Sequence, residues 1–385
     1  MGRNSELFYN HLFMNQTLRE QVGQLIIMGF DGTLVAPSLD SMLQELQPAG
    51  VILFARNIES AQQTHALLSA CRATLTIAPF LGVDMEGGSV DRLKRFMGPA
   101  PSAASVFNAG NKSWFAQHGE LIGTECSALG FNTDFAPTLD LALPNSRLVL
   151  GSRTVSPDPE QVAEYGRLFL EGLRKSGALG CGKHFPGLGE ATLDTHNELT
   201  SIEKSFSDMW QQDIAPFRIL CGDLPLMMVG HANYPTVTKD KLPASISPVW
   251  ITEILRNKIG YRGLIVSDDM EMGAVLAAGS VGEIAVAAVR AGANIVLVCR
   301  KEEMVRQAWE ALLHEAEHDP AFAARVAEAA HQVLAFKNQA RELKEFPSQF
   351  SRAAVEKQRQ EMGKFVAQLE QEQQRKSSEA AGQDC

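Results

Sequence analysis

Short apolar runs recur along the chain, and most are separated by stretches with helical spacing. The runs are Gln24–Met28, Val51–Phe54, Pro79–Val83, Phe131–Phe135, Ala178–His184, Leu226–Gly230, Gly263–Ser267 and Asn294–Val298. They are rich in Val, Ile, Leu and Phe and mostly do not alternate with polar residues. That pattern suits strands buried on both faces, as in a parallel sheet. Between them, Pro157–Ser176 carries Val162, Leu168, Phe169 and Leu173 near helical spacing, with Pro157 and Asp158 at its start. Similar patterns fill Ala61–Leu75, Trp114–Leu129, Phe206–Leu220, Val249–Ile259 and Ile284–Ala291. Eight strands alternating with helices predict an α/β fold, a single-domain (β/α)8 TIM-type barrel over residues 1–342. A doubly wound open sheet has the same periodicity and is the competing arrangement. From Leu343 onward apolar content falls and Glu, Gln, Lys and Arg dominate. Residues 343–385 are therefore expected to form a charged tail with little apolar surface to bury. Phe350–Gln374 reads as an amphipathic or solvated helix, and Ser377–Cys385 as disordered.

Composition narrows the function classes. The hydrophobic fraction of 45% over 385 residues supports a large core. A formal net charge of -10 argues against broad binding to nucleic acid or to an anionic membrane, both of which need a basic face. Leu7-Phe8-Tyr9 is interrupted by Asn10 and His11, so the N-terminus lacks the apolar core of a secretory signal. No stretch approaches the roughly 20 apolar residues of a membrane span. A cytoplasmic location is expected. The six cysteines stand singly, without a CxxC pair or a His/Cys cluster. Neither a metal site nor a disulfide framework is indicated.

Catalytic groups of such a barrel stand at the C-terminal ends of its strands. The polar residues that end the apolar runs are Asp84 and Glu86, Asp134, Lys183 and His184, His231, and Asp268 and Asp269. A single carboxylate at a strand end is often only a helix cap. Ionisable groups at five strand ends on one rim are costly to bury together unless they serve a ligand or each other. The loop after the fifth run reads Lys183-His184-Phe185-Pro186-Gly187-Leu188-Gly189, followed by Asp194-Thr195-His196. A carboxylate beside an imidazole fixes its tautomer and raises its pKa, which makes a general acid/base unit. Taken without context, an Asp-X-His in a loop is more often a pair of solvated side chains.

The context changes that balance. Lys183-His184-Phe185-Pro186-Gly187 with Asp194-Thr195-His196 resembles the signature of glycoside hydrolase family 3, in particular its single-domain bacterial β-N-acetylglucosaminidases of the NagZ type. Gly50–Asn57, Asp84–Arg92, Phe135–Asp140, Gly151-Ser152-Arg153, Leu242–Ser245, Gly263–Met270 and Ala291–Asn294 fit the same family in order, from about Leu18 to about Gln339. The resemblance implies that Asp268 is the nucleophile and His196 the acid/base, oriented by Asp194. It implies that Asp84, Arg92, Arg153, Lys183 and His184 grip the terminal sugar. It also implies hydrolysis of terminal β-linked N-acetylglucosamine with retention, from muropeptides in cell-wall recycling, with no cofactor and no metal. Asp269 is expected to point elsewhere and to cap a helix.

Three positions depart from the family pattern. Leu188 stands where a second histidine is usual, Met85 replaces Gln, and Ser89 replaces Arg. They leave the proposed catalytic groups intact and bear on the aglycone. Competing readings are a β-N-acetylglucosaminide phosphorylase, a catalytically silent sugar-binding barrel, a β-glucosidase and a metal-dependent hydrolase. Asp194, His196 and Asp268 together oppose a silent barrel. Lys183 beside His184 opposes a bound cation. The histidine loop stands in place of the glutamate that a following domain supplies in multi-domain β-glucosidases.

Overall fold

In a computed structural model describing residues 16–191 and 199–383, eight parallel strands follow one another in chain order and close into a barrel. They are β1 (Ile26–Met28), β2 (Gly50–Leu53), β3 (Phe80–Val83), β4 (Thr133–Asp134), β5 (Leu179–Phe185), β6 (Leu226–Val229), β7 (Leu264–Asp269) and β8 (Ile295–Val298). Closure is decided by β1, which pairs with β2 on one side and with β8 on the other, Ile26 facing Val296 and Met28 facing Val298. An open sheet would leave both outer strands with a free edge. Each of the eight apolar runs coincides with one strand.

Alternate residues of a strand enter different cores, as the period of two requires. Ile27, Ile52, Phe80, Phe135, Cys181, Met228, Val266 and Leu297 fill the barrel interior. Ile26, Met28, Val51, Leu53, Leu81 and Val83 belong to the layer under the helices. The helix α7 (Pro159–Lys175) shows why the intervening segments are helical. Asp158 accepts the Glu160 N–H at 2.8 Å, Pro159 fits the first turn, and Val162, Phe169 and Leu173 face inward. Its final turn carries Arg174 and Lys175, which complement the helix dipole.

The remaining helices fall into place around this frame. They are α1 (Leu18–Gly23), α2 (Pro37–Leu46), α3 (Ala61–Thr74), α4 (Lys94–Met97), α5 (Ala103–Asn108) and α6 (Ser113–Leu129) before α7. After it come α8 (Phe206–Gln211), α9 (Ala215–Ile219), α10 (Pro235–Thr238), a π-helix over Val249–Ile259, α11 (Gly273–Leu276), α12 (Val281–Ala291), α13 (Glu302–His318) and α14 (Pro320–Gln339). The stretch Phe206–Leu220 is two helices rather than one. Pro216 sits in the first turn of α9, where its missing N–H costs nothing. The lower end of the barrel is plugged. Lys337 of α14 is buried there and donates to Gln24 Oε1 at 2.8 Å and to the Ala49 carbonyl at 2.7 Å. Burial drives its ammonium well below the ordinary lysine range.

The tail departs from expectation. Residues Arg352–Gln383 form one helix, α15, so the segment from Ser377 to Gln383 is helical. Val355, Met362, Phe365 and Leu369 are buried against α4, α5 and α6. Phe365 meets Trp114 edge-on at 5.9 Å. Gln358 is buried and donates to the Leu121 carbonyl at 2.9 Å. Upstream, Phe346 stacks on His65, and Arg72 holds the carbonyls of Leu343 and Lys344. The mean composition concealed this because four apolar residues, spaced three to seven apart, suffice to build a narrow stripe on a long polar helix. Among the described residues no helix is long and apolar enough to cross a membrane.

Met362→Ala removes one of these anchors. We expect it to destabilise the protein by about 2–5 kcal/mol in urea unfolding. A variant as stable as the parent would show that α15 contributes no packing energy.

Candidate active site

The rim is organised around a buried cation. Lys183, near the end of β5, is only 2% exposed. Its ammonium lies 2.8 Å from Asp84 and 2.7 Å from Glu86, both just beyond β3. Burial works against its charge, but the two carboxylates outweigh burial and hold it above the ordinary lysine range. Arg153, from the single turn Gly151–Arg153, grips Glu86 through two hydrogen bonds of 2.9 Å. Thr138 adds a third at 3.0 Å. Glu86 is consequently held well below the usual carboxylate range: burial raises it, and Arg153 and Lys183 more than offset that.

The chain around Glu86 is shaped for this. Gly87 and Gly88 both adopt positive φ, at 78° and 58°. A Cβ on Gly87 would lie 2.0 Å from the Pro101 carbonyl oxygen, so no other residue fits the turn. Beyond it, Asp91 accepts the N–H groups of Leu93 and Ala100 and fixes the loop that presents Arg92. Arg92 lines the pocket with its guanidinium 5.8 Å from the Phe54 ring.

His184 follows Lys183 and is locked by Asp140. That carboxylate accepts from the His184 ring Nδ1 at 2.7 Å and from the Leu188 N–H at 2.7 Å. With Nδ1 engaged by Asp140, Nε2 is left facing Arg153 and the pocket. One buried aspartate thus aims a pocket residue and pins the base of the histidine loop.

At the opposite wall, β7 leaves regular register with β8 between Val266 and Asp269. The displaced carbonyls are tied by side chains. Ser267 Oγ donates to the Asp268 carbonyl at 2.7 Å, and His231 Nε2 donates to the Asp269 carbonyl at 2.8 Å. A carbonyl only accepts, so Nε2 of His231 carries a proton; Nδ1 meets Ser245 Oγ at 2.7 Å. The two adjacent carboxyls then diverge in character. Burial pushes Asp268 up, but His231, His184, the Asp269 N–H and Lys183 outweigh it and hold it below the ordinary aspartate range. Burial pushes Asp269 up to about 7, with Glu271 and Asp268 adding to the shift. Asp269 does not cap a helix as expected. It accepts the Glu271 and Cys299 N–H groups and fastens the end of β7 to the end of β8, while α11 starts after Met272.

These groups share one pocket of about 170 Å³, lined by Asp84, Arg92, Arg153, Lys183, His184, Asp268 and Asp269 among others. Six of the eight residues selected from sequence are therefore brought together; Asp194 and His196 lie outside the described residues. Phe54, Val149, Leu150, Leu188 and Met272 supply apolar walls. Leu188 is buried there, Met85 is buried elsewhere, and Ser89 is exposed and does not line the pocket. Glu86, Asp140 and the part His231 plays in tying the Asp269 carbonyl were missed. Glu86 and Asp140 stood inside the quoted motifs, and their signal was a carboxylate within a stretch folded too tightly to leave it in water. Asp134 is buried outside the pocket lining, and burial pushes it well above the aspartate range, with Asp84 and Glu86 adding to the shift.

Comparison with known proteins fits this arrangement. The model of the glycosyl hydrolase family 3 N-terminal domain matches residues 17–336. The chain belongs to this family. Among relatives of the family 3 barrel, a β-hexosaminidase of Alkalilimnicola ehrlichii is 38% identical over 287 residues, covering 73% of this chain and 82% of the relative. A β-hexosaminidase of Pseudomonas aeruginosa is 36% identical over 290 residues, 74% and 86% of the two chains. Among solved structures, a family 3 β-N-acetylglucosaminidase from Paenibacillus superposes with a TM-score of 0.84 at 29% identity, covering 91% of this chain and 69% of that one. NagZ from Neisseria gonorrhoeae gives 0.68 at 29% identity, covering 80% and 97%. The chain is a glycoside hydrolase.

Glu86→Gln tests the ion network of the family 3 barrel. The folded carboxyl titrates below its unfolded value near 4.5. Its contribution to stability is therefore complete above that pH and is lost as pH falls below it. We expect the variant to lose about 3–5 kcal/mol near neutral pH, because Arg153 and Lys183 keep their charges without their partner. The gap to the parent should narrow below about pH 4. Equal stability at neutral pH would show that Asp84 alone satisfies both cations.

Proposed function

We propose that this glycoside hydrolase is a retaining exo-β-N-acetylglucosaminidase acting on small carbohydrate or muropeptide substrates, with Asp268 as nucleophile. The observation that carries the reading is the contrast at the end of β7. Asp268 is an ionised carboxylate in a pocket beside Lys183, His184 and Arg153, whereas Asp269 is engaged with backbone N–H groups. A retaining glycosidase needs one carboxylate that attacks the anomeric carbon and a second group that first protonates the leaving oxygen and then deprotonates water. Asp268, held anionic by its surroundings, suits the first role.

The clamp suits a polyhydroxylated ring. Lys183 and Arg153 keep spare N–H donors, Asp84 and Glu86 fix where those donors point, and Asp140 orients His184 beside them. Fixing them before the substrate arrives removes the cost of ordering long side chains during binding. The apolar walls give a place for the acetamido methyl. The relatives named β-hexosaminidase and β-N-acetylglucosaminidase support the N-acetylated sugar, and the NagZ likeness supports a muropeptide source in cell-wall recycling. His196, oriented by Asp194, would act as acid and base, through a loop whose base is pinned by Asp140. A neutral histidine base repels an anionic acceptor less than a carboxylate does, so phosphate is the acceptor to test against water.

Hydrolysis of nitrophenyl N-acetyl-β-glucosaminide should be fast relative to the glucoside and unchanged by phosphate. Sugar 1-phosphate as the main product would make the enzyme a phosphorylase. Asp268→Ala should remove almost all turnover, and a fluoro-sugar inactivator should label Asp268; label on Asp269 would overturn the nucleophile assignment. His196→Ala should slow substrates with poor leaving groups far more than activated aryl substrates in the glycosylation step. Equal losses on both would mean that another residue is the acid.

A further inference from the structure

The helix α15 lies beyond residue 336, where the family match ends, yet its contacts converge on the segments that carry the sugar clamp. Two routes lead from it to Glu86. In the first, Gln373 Nε2 donates to Ser105 Oγ at 2.9 Å, and Lys376 donates to the Asn108 carbonyl at 3.2 Å. Both acceptors belong to α5. That helix packs on the turn Gly151–Arg153, whose last residue is the bidentate partner of Glu86. Gly88 closes this contact: a Cβ there would stand 2.6 Å from Ser102 Cβ and 3.5 Å from Ser152 Oγ. In the second route, Phe365 stacks on the His118 ring at 6.3 Å. His118 is buried and backs directly onto Gly87, its Nε2 3.4 Å from where a Cβ would be. Its Nδ1 is held by the Tyr165 hydroxyl at 2.8 Å, so the ring cannot turn aside without losing that bond.

We propose that α15 is a brace for the sugar clamp, with Phe365 and Gln373 as positioning residues that set substrate affinity without touching substrate. The barrel fixes the clamp on its inner side through β3 and β5. On the outer side the loop from Asp84 to Asn108 is long and holds only short helices. A loop of that kind settles in one position only if something packs against its back. The brace supplies that surface, and Arg153 is held in bidentate register with Glu86 as a result. Relaxing it weakens binding of the ring in ground state and transition state alike. The consequence is a change in KM with little change in kcat.

The inference rests on the reading that Arg153 and its neighbours grip the sugar, so the experiment includes that residue. Full-length Phe365→Ala, Phe365→Leu, Gln373→Ala, Arg153→Ala and Val326→Ala would be assayed on nitrophenyl N-acetyl-β-glucosaminide, with melting curves for each. Val326 is buried in α14, away from the clamp, and reports on loss of stability alone. We expect Phe365→Ala and Gln373→Ala to raise KM by about 2- to 30-fold, the range of coupling through packed networks, with kcat within about twofold. Phe365→Leu should restore most of the affinity, and Val326→Ala should lower the melting temperature with KM unchanged. If Arg153→Ala raises KM and the two α15 variants do not, the brace is refuted while the clamp stands. If Arg153→Ala leaves KM unchanged, the clamp reading fails and the brace falls with it. A KM increase in Val326→Ala equal to that in Phe365→Ala would also overturn the proposal, since general loosening would then explain both. Should Phe365→Ala fail to fold, Gln373→Ala decides, because its side chain is only partly buried and its loss leaves the apolar stripe intact.

Discussion

The ion network centred on Lys183 is the constraint on which the rest of the rim depends. A buried ammonium must be paired, because leaving it alone in a low-dielectric interior costs several kcal/mol. Its two partners come from the loop after β3, and the second of them, Glu86, needs Arg153 as well. Three separate stretches of chain are therefore drawn to one point. Burial of the network brings little net stability by itself. What it supplies is position: each donor is aimed before a ligand is present. The two left-handed glycines after Glu86, the Asp91 loop bracket and the packing of α5 all serve to keep the carboxylates within reach of Lys183.

The same logic separates Asp268 from Asp269. These are identical groups on adjacent residues, and their surroundings push them in opposite directions. A regular strand would send their side chains to opposite faces. The irregular register of β7 instead lets both line the rim pocket, with His231 and Ser267 tying the displaced carbonyls. Asp269 then satisfies backbone N–H groups of two neighbouring segments and is the more easily protonated. His231, His184 and Lys183 outweigh burial and hold Asp268 below the ordinary aspartate range. Pairs of titratable groups driven apart in this way are a common basis for dividing chemical roles.

His184 and Asp140 join the pocket to the start of the loop that follows β5. A single carboxylate accepts from the ring and from the Leu188 N–H, so a shift at the loop base is felt by a residue lining the pocket. Leu188 contributes an apolar wall to the pocket while its backbone N–H is held by Asp140.

The sequence by itself determined the eight strands, because a strand buried on both faces can only be a continuous apolar run. It determined which residues crowd the rim, because charged groups at strand ends of a parallel sheet have one place to go. Resemblance to the family motifs singled out Asp84, Arg92, Arg153, Lys183, His184 and Asp268, which the structure brings to one pocket. Closure of the barrel was decided only in three dimensions, since the pairing of β1 with β8 joins segments separated by nearly the whole described barrel and leaves no local trace. The partners of Lys183 were likewise undecided: an ion pair is a matter of distance, and Glu86 looked no different from Asp84 along the chain. The docking of α15 was hidden for a related reason. Its apolar stripe is too sparse to raise the average hydrophobicity, and only the matching surface on α4, α5 and α6 makes burial of Met362, Phe365 and Leu369 favourable.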